Sequence, residues 1–169
     1  MRALTGYQPW FSAIALGHKR IENRPWVPPD WLIGMRIAIH AGKTWDADAV
    51  PFIRERVPAG VMDGPREAHV FGAVIAVATV GGCVDSEEGA RSWSLGQARW
   101  FMGPYGWLLD DIVALPKPVP CFGNRKLWHL PTDVLRRVEE QVGVFDELAV
   151  VQRRLGAATA KQLGFEGIR

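Results

Sequence analysis

The alternation of apolar and polar positions resolves most of this chain into short elements. Residues 34–41 (GMRIAIHA) place Met35, Ile37 and Ile39 on one side and Arg36, Ala38 and His40 on the other, which predicts a strand. Residues 70–80 (VFGAVIAVATV) are apolar at both parities, rich in β-branched side chains and followed by Gly81-Gly82, so they predict a strand covered on both faces. Residues 106–115 predict another strand, and Pro116, Pro118 and Pro120 then permit only an edge or a loop. Residues 126–130 predict a short last strand. Residues 9–16 read as a short helix, with Pro9 suited to its first turn and Gly17 to its left-handed close. A turn from His18 leads into a strand up to Arg24, stopped by Pro25 and Pro28-Pro29. Residues 44–57 suggest a helical insertion, capped by Thr44 or Asp46 and complicated by Pro51, and residues 86–100 a short helix. After Pro131 the period becomes helical, with Val134, Leu135, Val138 and Val142, then Leu148, Val151 and Leu155. The expected class is α+β: a small β-barrel-like domain over 1–131 with flanking helices, and a helical C-terminal extension over 132–169 whose last residues, 156–169, should be the least ordered.

Composition narrows the function classes. With 169 residues, 48% of them apolar, the chain can fill one core, which argues against wholesale disorder. No apolar run approaches the length of a membrane span, and the opening MRALTGYQPW lacks the apolar centre of a secretion signal. Cys83 and Cys121 form no CxxC pair, so neither a disulfide framework nor a zinc site is indicated and a cytoplasmic location is expected. The net charge of +2 is unevenly divided: residues 1–45 carry +4 and residues 112–131 carry +3, while 46–67 and 68–111 carry −2 and −3. If the two basic segments meet in space, they form the kind of surface that phosphate-bearing partners seek. Eight tryptophans allow either core packing or base stacking beside those charges.

The residues also carry a resemblance. Gln8-Pro9-Trp10 followed by Gly17-x-Lys19-x-x-Glu22-x-Arg24-x-Trp26 resembles the signature of the ASCH domain, named after activating signal cointegrator 1. The strand around Ile37 to Ala41, the run Gly103-Pro104-Tyr105-Gly106-Trp107, and Pro118-x-Pro120 leading to Gly123-Asn124-x-Lys126-Leu127-Trp128 fit in the same order, so the likeness covers about residues 4–131. It implies a PUA-like β-barrel with a cleft beside the signature, related to modules that bind RNA and modified nucleotides. One branch of the family hydrolyses an acetylated cytidine, and nuclease activity has been proposed for some members. That branch carries a hydroxyl residue three positions after the lysine, where this chain has Glu22, which sets it apart mechanistically.

Several side chains are candidates within that frame. Lys19 would contact a phosphate, serve as an amine of lowered pKa, or merely cap the preceding helix. Glu22 and Arg24 lie two apart on a strand and share a face, as a plain ion pair or as base-edge and phosphate contacts. His40 and Lys43 end the 34–41 strand and could line a cleft. Trp10, Trp26 and Trp107 are either stacking surfaces or core, and Arg125 and Lys126 are either a solvated turn or backbone contacts. The serines and Thr44 have no nucleophile-elbow context, and the histidines form no HxH or HExxH arrangement, so no metal or other cofactor is expected. The reading is therefore a nucleic-acid binder, RNA before DNA, using Lys19, Arg24, Trp26, His40, Lys43, Trp107, Arg125 and Lys126, as a monomer or weak homodimer; a nucleotide-like small molecule is the other ligand class. The alternatives are a metal-independent hydrolase of a modified nucleoside or RNA through Lys19 and Glu22, and an adaptor acting through the helical tail.

Overall fold

The computed structural model describes residues 1–143. Its strands are β1 (Arg2–Gln8), β2 (Ile21–Arg24), β3 (Arg36–Trp45), β4 (Ala73–Val84), β5 (Tyr105–Pro120) and β6 (Leu127–His129). They form a six-stranded sheet in the order β2-β5-β4-β3-β1-β6, in which β1 and β3 run parallel and every other pair antiparallel. The helices are α1 (Trp10–Ala15), α2 (Ala49–Arg54), α3 (Glu87–Trp93), α4 (Leu95–Ala98) and a tail helix over residues 132–143. None of the described helices is long and apolar enough to cross a membrane.

Alternation sends the two sides of the sheet into different layers. Leu4 of β1 and Ile37 and Ile39 of β3 join Phe11, Ile14, Trp107 and Leu109 in one cluster. Ala3 and Ala38 face the other way, with Val74, Val77 and Trp128, and meet Val134, Val138 and Val142 of the tail helix. Each of those valines contributes on the order of 1.5–3 kcal/mol by leaving water, and Gln141 adds a polar clasp. Its amide accepts the Lys117 N–H at 2.9 Å and donates to the Lys117 carbonyl at 3.0 Å, in the stretch of β5 between Ala114 and Val119 where the register with β4 shifts. The expected stripe of Val134, Leu135, Val138 and Val142 thus lies on this sheet, whereas Leu148, Val151, Leu155 and residues 156–169 fall outside the described residues.

The observed elements differ from the sequence pattern in instructive places. The pattern does not predict β1, because Ala3 and Leu4 are both buried and β1 lies inside the sheet between β3 and β6, which erases alternation. β3 runs on to Trp45, into the segment expected to be helical, because β1 supplies a partner as far as Gln8. Helix α2 starts only at Ala49, whose N–H donates to Asp46 Oδ1 at 3.2 Å, and Pro51 falls in its first turn, where no N–H is needed. β4 passes through Gly81-Gly82 instead of ending there. A Cβ on Gly81 would lie 2.1 Å from the Asp110 carboxylate, so glycine lets that carboxylate reach its ion-pair partner Arg20. The helix expected over 86–100 is two short ones, separated by extended Ser94, that turn Ala90 and Ala98 onto Trp100. β5 includes all three prolines, which the strand tolerates because β2 covers it only from Tyr105 to Leu108.

The expected barrel is not closed. β2 and β6 remain as edges of an open sheet. With four and three residues they are too short to build a ladder across the gap, and the Arg24 side chain crosses it instead, donating to the Thr5 carbonyl of β1 at 2.8 Å. The seam left between β1 and β2 is where the pocket described next opens.

Candidate functional site

The end of α1 sets the first position. The backbone N–H groups of His18 and Lys19 donate to the Ala13 carbonyl at 3.0 Å, so the helix terminus is satisfied by main chain and the Lys19 ammonium is not needed as a cap. Gln8 holds the other end of the helix, accepting the Ser12 N–H at 2.9 Å while donating to the Val70 carbonyl at 2.7 Å. Lys19 is 1% exposed and its ammonium donates to Glu22 Oε2. The second Glu22 oxygen pairs with Arg24 at 3.0 Å, as expected for side chains two apart on β2. One carboxylate is thus shared between two cations, and the cluster keeps a net positive charge when all three are ionised. Burial, and then the Arg24 charge, push the Lys19 pKa below its ordinary value, against the pull of Glu22.

These groups line a pocket of about 330 Å³ with Thr5, Gly6, Tyr7, Trp10, Phe11, Asn23 and Met102. Its floor is tight: a Cβ on Gly6 would lie 1.8 Å from the Phe11 ring. The Lys19 ammonium lies 6.0 Å from the Trp10 ring and the Arg24 guanidinium 5.9 Å from the Phe11 ring. Asn23 pins the wall, donating to the Trp100 carbonyl and accepting the Met102 N–H, each at 2.8 Å. Tyr7 and Met102 stand at the rim, 57% and 51% exposed. Arg24 Nε is buried and has no partner among the described residues.

The other predicted residues divide. Trp107 is fully buried, with its indole N–H on the Trp26 carbonyl at 3.0 Å and its ring edge-on to Trp26 at 4.6 Å; neither lines the pocket, and Trp107 is core. His40 and Lys43 line a second cavity of about 270 Å³, with Thr5, Gly42, Gly72, Cys121, Phe122 and Gly123. His40 Nε2 faces the Cys121 carbonyl at 3.2 Å; a carbonyl only accepts, so Nε2 carries the proton and Nδ1 is a buried acceptor without a donor among the described residues. Burial lowers the His40 pKa, which favours this neutral form. Arg125 and Lys126 are exposed on the loop that leads from this cavity into β6, and line neither cavity. Thr5, Tyr7, Phe11, Met102 and Phe122 escape a reading of the sequence. Tyr7 and Phe11 carry a signal there, their places on either side of Gln8-Pro9-Trp10, and Phe122 its place before Gly123-Asn124.

With the geometry in place, the comparisons give the class. No family model and no curated protein matches the sequence. Among solved structures, the chain is similar to the ASCH protein of Zymomonas mobilis, with 16% identity over 82% of this chain and 93% of that one and a TM-score of 0.51. A tyrosine-to-phenylalanine mutant of the same Zymomonas mobilis protein gives 15% identity, 82% and 96% coverage, and a TM-score of 0.50. The chain therefore shares its α+β fold with that ASCH protein, built here on an open sheet.

Proposed function

We propose that this protein binds nucleic acid, RNA in preference to DNA, by taking one unstacked base into the pocket between β1 and β2. The observation that carries this reading is Arg24: its guanidinium, fixed by Glu22 and Thr5, lines a pocket walled by Trp10 and Phe11. A volume of about 330 Å³ suits one planar ring and excludes a duplex, so the base must leave its stack. The aromatic walls offer stacking, Arg24 offers a charge-assisted contact to a base edge or phosphate, and the surplus positive charge attracts the backbone. Glu22, fixed by its two cations, presents lone pairs suited to an exocyclic amine.

Titration of single-stranded RNA into the protein tests this. Arg24→Ala is expected to weaken binding on the order of tenfold or more, the scale of one charge-assisted hydrogen bond, with melting temperature measured alongside. Unchanged affinity in a folded Arg24→Ala protein would remove the pocket from the reading.

One observation favours a second reading. A buried lysine of lowered pKa beside a carboxylate is also the arrangement of a metal-independent hydrolase, with Lys19 as amine and Glu22 as base. Turnover of an acylated cytidine or of RNA that disappears in both Lys19→Ala and Glu22→Gln would select it.

A further inference from the structure

The second cavity is separated from the first by a single residue. Thr5 lines both. Its carbonyl holds Arg24, its Oγ1 accepts the Trp128 indole N–H at 3.0 Å, and its neighbour in β3 is His40. Leu4 pairs with Leu127 where β6 begins, which sets Arg125 and Lys126 immediately before that pairing, on the Thr5 side. Arg24 and Lys43 of the first basic segment and Arg125 and Lys126 of the second therefore lie around Thr5.

Phe122 is the conspicuous group there. It is 83% exposed, and the Lys43 ammonium stands 5.5 Å from its ring centre. The loop carrying it is pressed down at Gly123, where a Cβ would lie 2.4 Å from the His40 ring and 2.9 Å from Thr5 Oγ1. An exposed aromatic ring with an ammonium above it, on a loop braced at its base, is a stacking platform with a phosphate contact attached.

We infer that the cavity under Phe122 is a second nucleotide subsite, so that the ligand is a single strand of at least two nucleotides crossing the Thr5 edge of β1. This rests on the base-binding reading of the first pocket. One base enters beside Arg24; the next stacks on the Phe122 face turned away from Lys43; Lys43, with Arg125 and Lys126 on the same loop as Phe122, holds the intervening and following phosphates. The 2′-hydroxyls are available to Thr5, whose hydroxyl hydrogen is not spent on Trp128, because that bond uses only its lone pair.

The test compares the four nucleoside 5′-monophosphates, a mixed-sequence RNA hexamer and the same hexamer as a duplex, on wild type, Phe122→Ala, Lys43→Ala and Arg24→Ala. The single-stranded hexamer is expected to bind tighter than any monophosphate and tighter than the duplex. Phe122→Ala should remove about tenfold of hexamer affinity, the scale of one base–aromatic stack, while leaving monophosphate binding and melting temperature unchanged. Lys43→Ala should likewise weaken the hexamer and spare the monophosphates, whereas Arg24→Ala should weaken both ligands. The inference is overturned if the hexamer gains nothing over the monophosphates, or if its gain survives in Phe122→Ala, since charge alone would then explain it; monophosphate binding abolished in Arg24→Ala would still support the first pocket. Absence of binding by every ligand overturns both.

Discussion

At the scale of residues, Glu22 organises the site, because one carboxylate holds two buried or half-buried cations in place. The Glu22–Arg24 pair is legible in the sequence, because alternation puts both side chains on one face; Lys19 stands out there only through the resemblance to the ASCH signature, and its ion pair with Glu22 comes from the fold. The Thr5 carbonyl as the acceptor for Arg24 is not legible there, since it depends on how two non-neighbouring strands face each other across an open seam. The lowered pKa of Lys19 makes a prediction whose sign can be worked out. Below that lowered value the lysine is charged both folded and unfolded, and the folded state bears the full cost of burial. Between it and 10.5 the unfolded chain keeps a proton that the folded one has released, so stability climbs with pH and levels off above 10.5. The raised thiol pKa values of Cys83 and Cys121 act in the opposite sense, so the comparison must be with Lys19→Met, in which they are unchanged. Unfolding free energies from urea titrations on the alkaline side should rise more steeply in wild type than in Lys19→Met, by up to about 1.4 kcal/mol per pH unit. Parallel curves would show that Lys19 does not titrate from a depressed value.

At the scale of elements, alternation locates strands well where one neighbour lies on each side and fails where partners decide the length. The pattern stops β3 near Ala41, yet it runs to Trp45 because β1 continues beside it; β4 crosses two glycines because Asp110 needs the space that Gly81 leaves. The tail helix shows the reverse case. A period of 3.6 residues identifies Val134, Val138 and Val142 as one stripe, and the sheet face holding Ala38, Val77 and Trp128 receives it. We propose that this helix is an added element, supporting the sheet without shaping the β1–β2 pocket. Val138→Ala should then cost about 2 kcal/mol of stability by leaving a cavity under the helix. Glu139→Ala, on the exposed side, should stay within about 0.5 kcal/mol. RNA affinity should be the same in both variants at a temperature where both are folded. A neutral Val138→Ala would mean that the stripe contributes no packing; a folded Val138→Ala with weakened RNA binding would make the tail part of the site.

At the scale of the whole molecule, the uneven charge along the chain becomes a local one. Parts of the two basic stretches, 1–45 and 112–131, approach each other around Thr5, with Arg24 on one side and Lys43 and the 121–126 loop on the other. Association with single-stranded RNA is therefore expected to weaken steeply with salt, by about 0.7 in the logarithm of affinity per tenfold salt for each phosphate neutralised. Replacing Arg125 and Lys126 together by alanine should lower affinity evenly across sequences and flatten that dependence by about one phosphate or more. A slope identical to wild type would place that loop outside the interface. The sequence by itself determined the α+β class, most of the strands, the helical stripe and the Glu22–Arg24 pair, because each rests on periodicity or on spacing of a few residues. Only the tertiary structure decided that the sheet stays open, that Trp107 is core while Phe122 is bare, and that Thr5 sits between two cavities. Those facts follow from strand order, and strand order is set by which distant surfaces bury each other best, a quantity that no local pattern encodes.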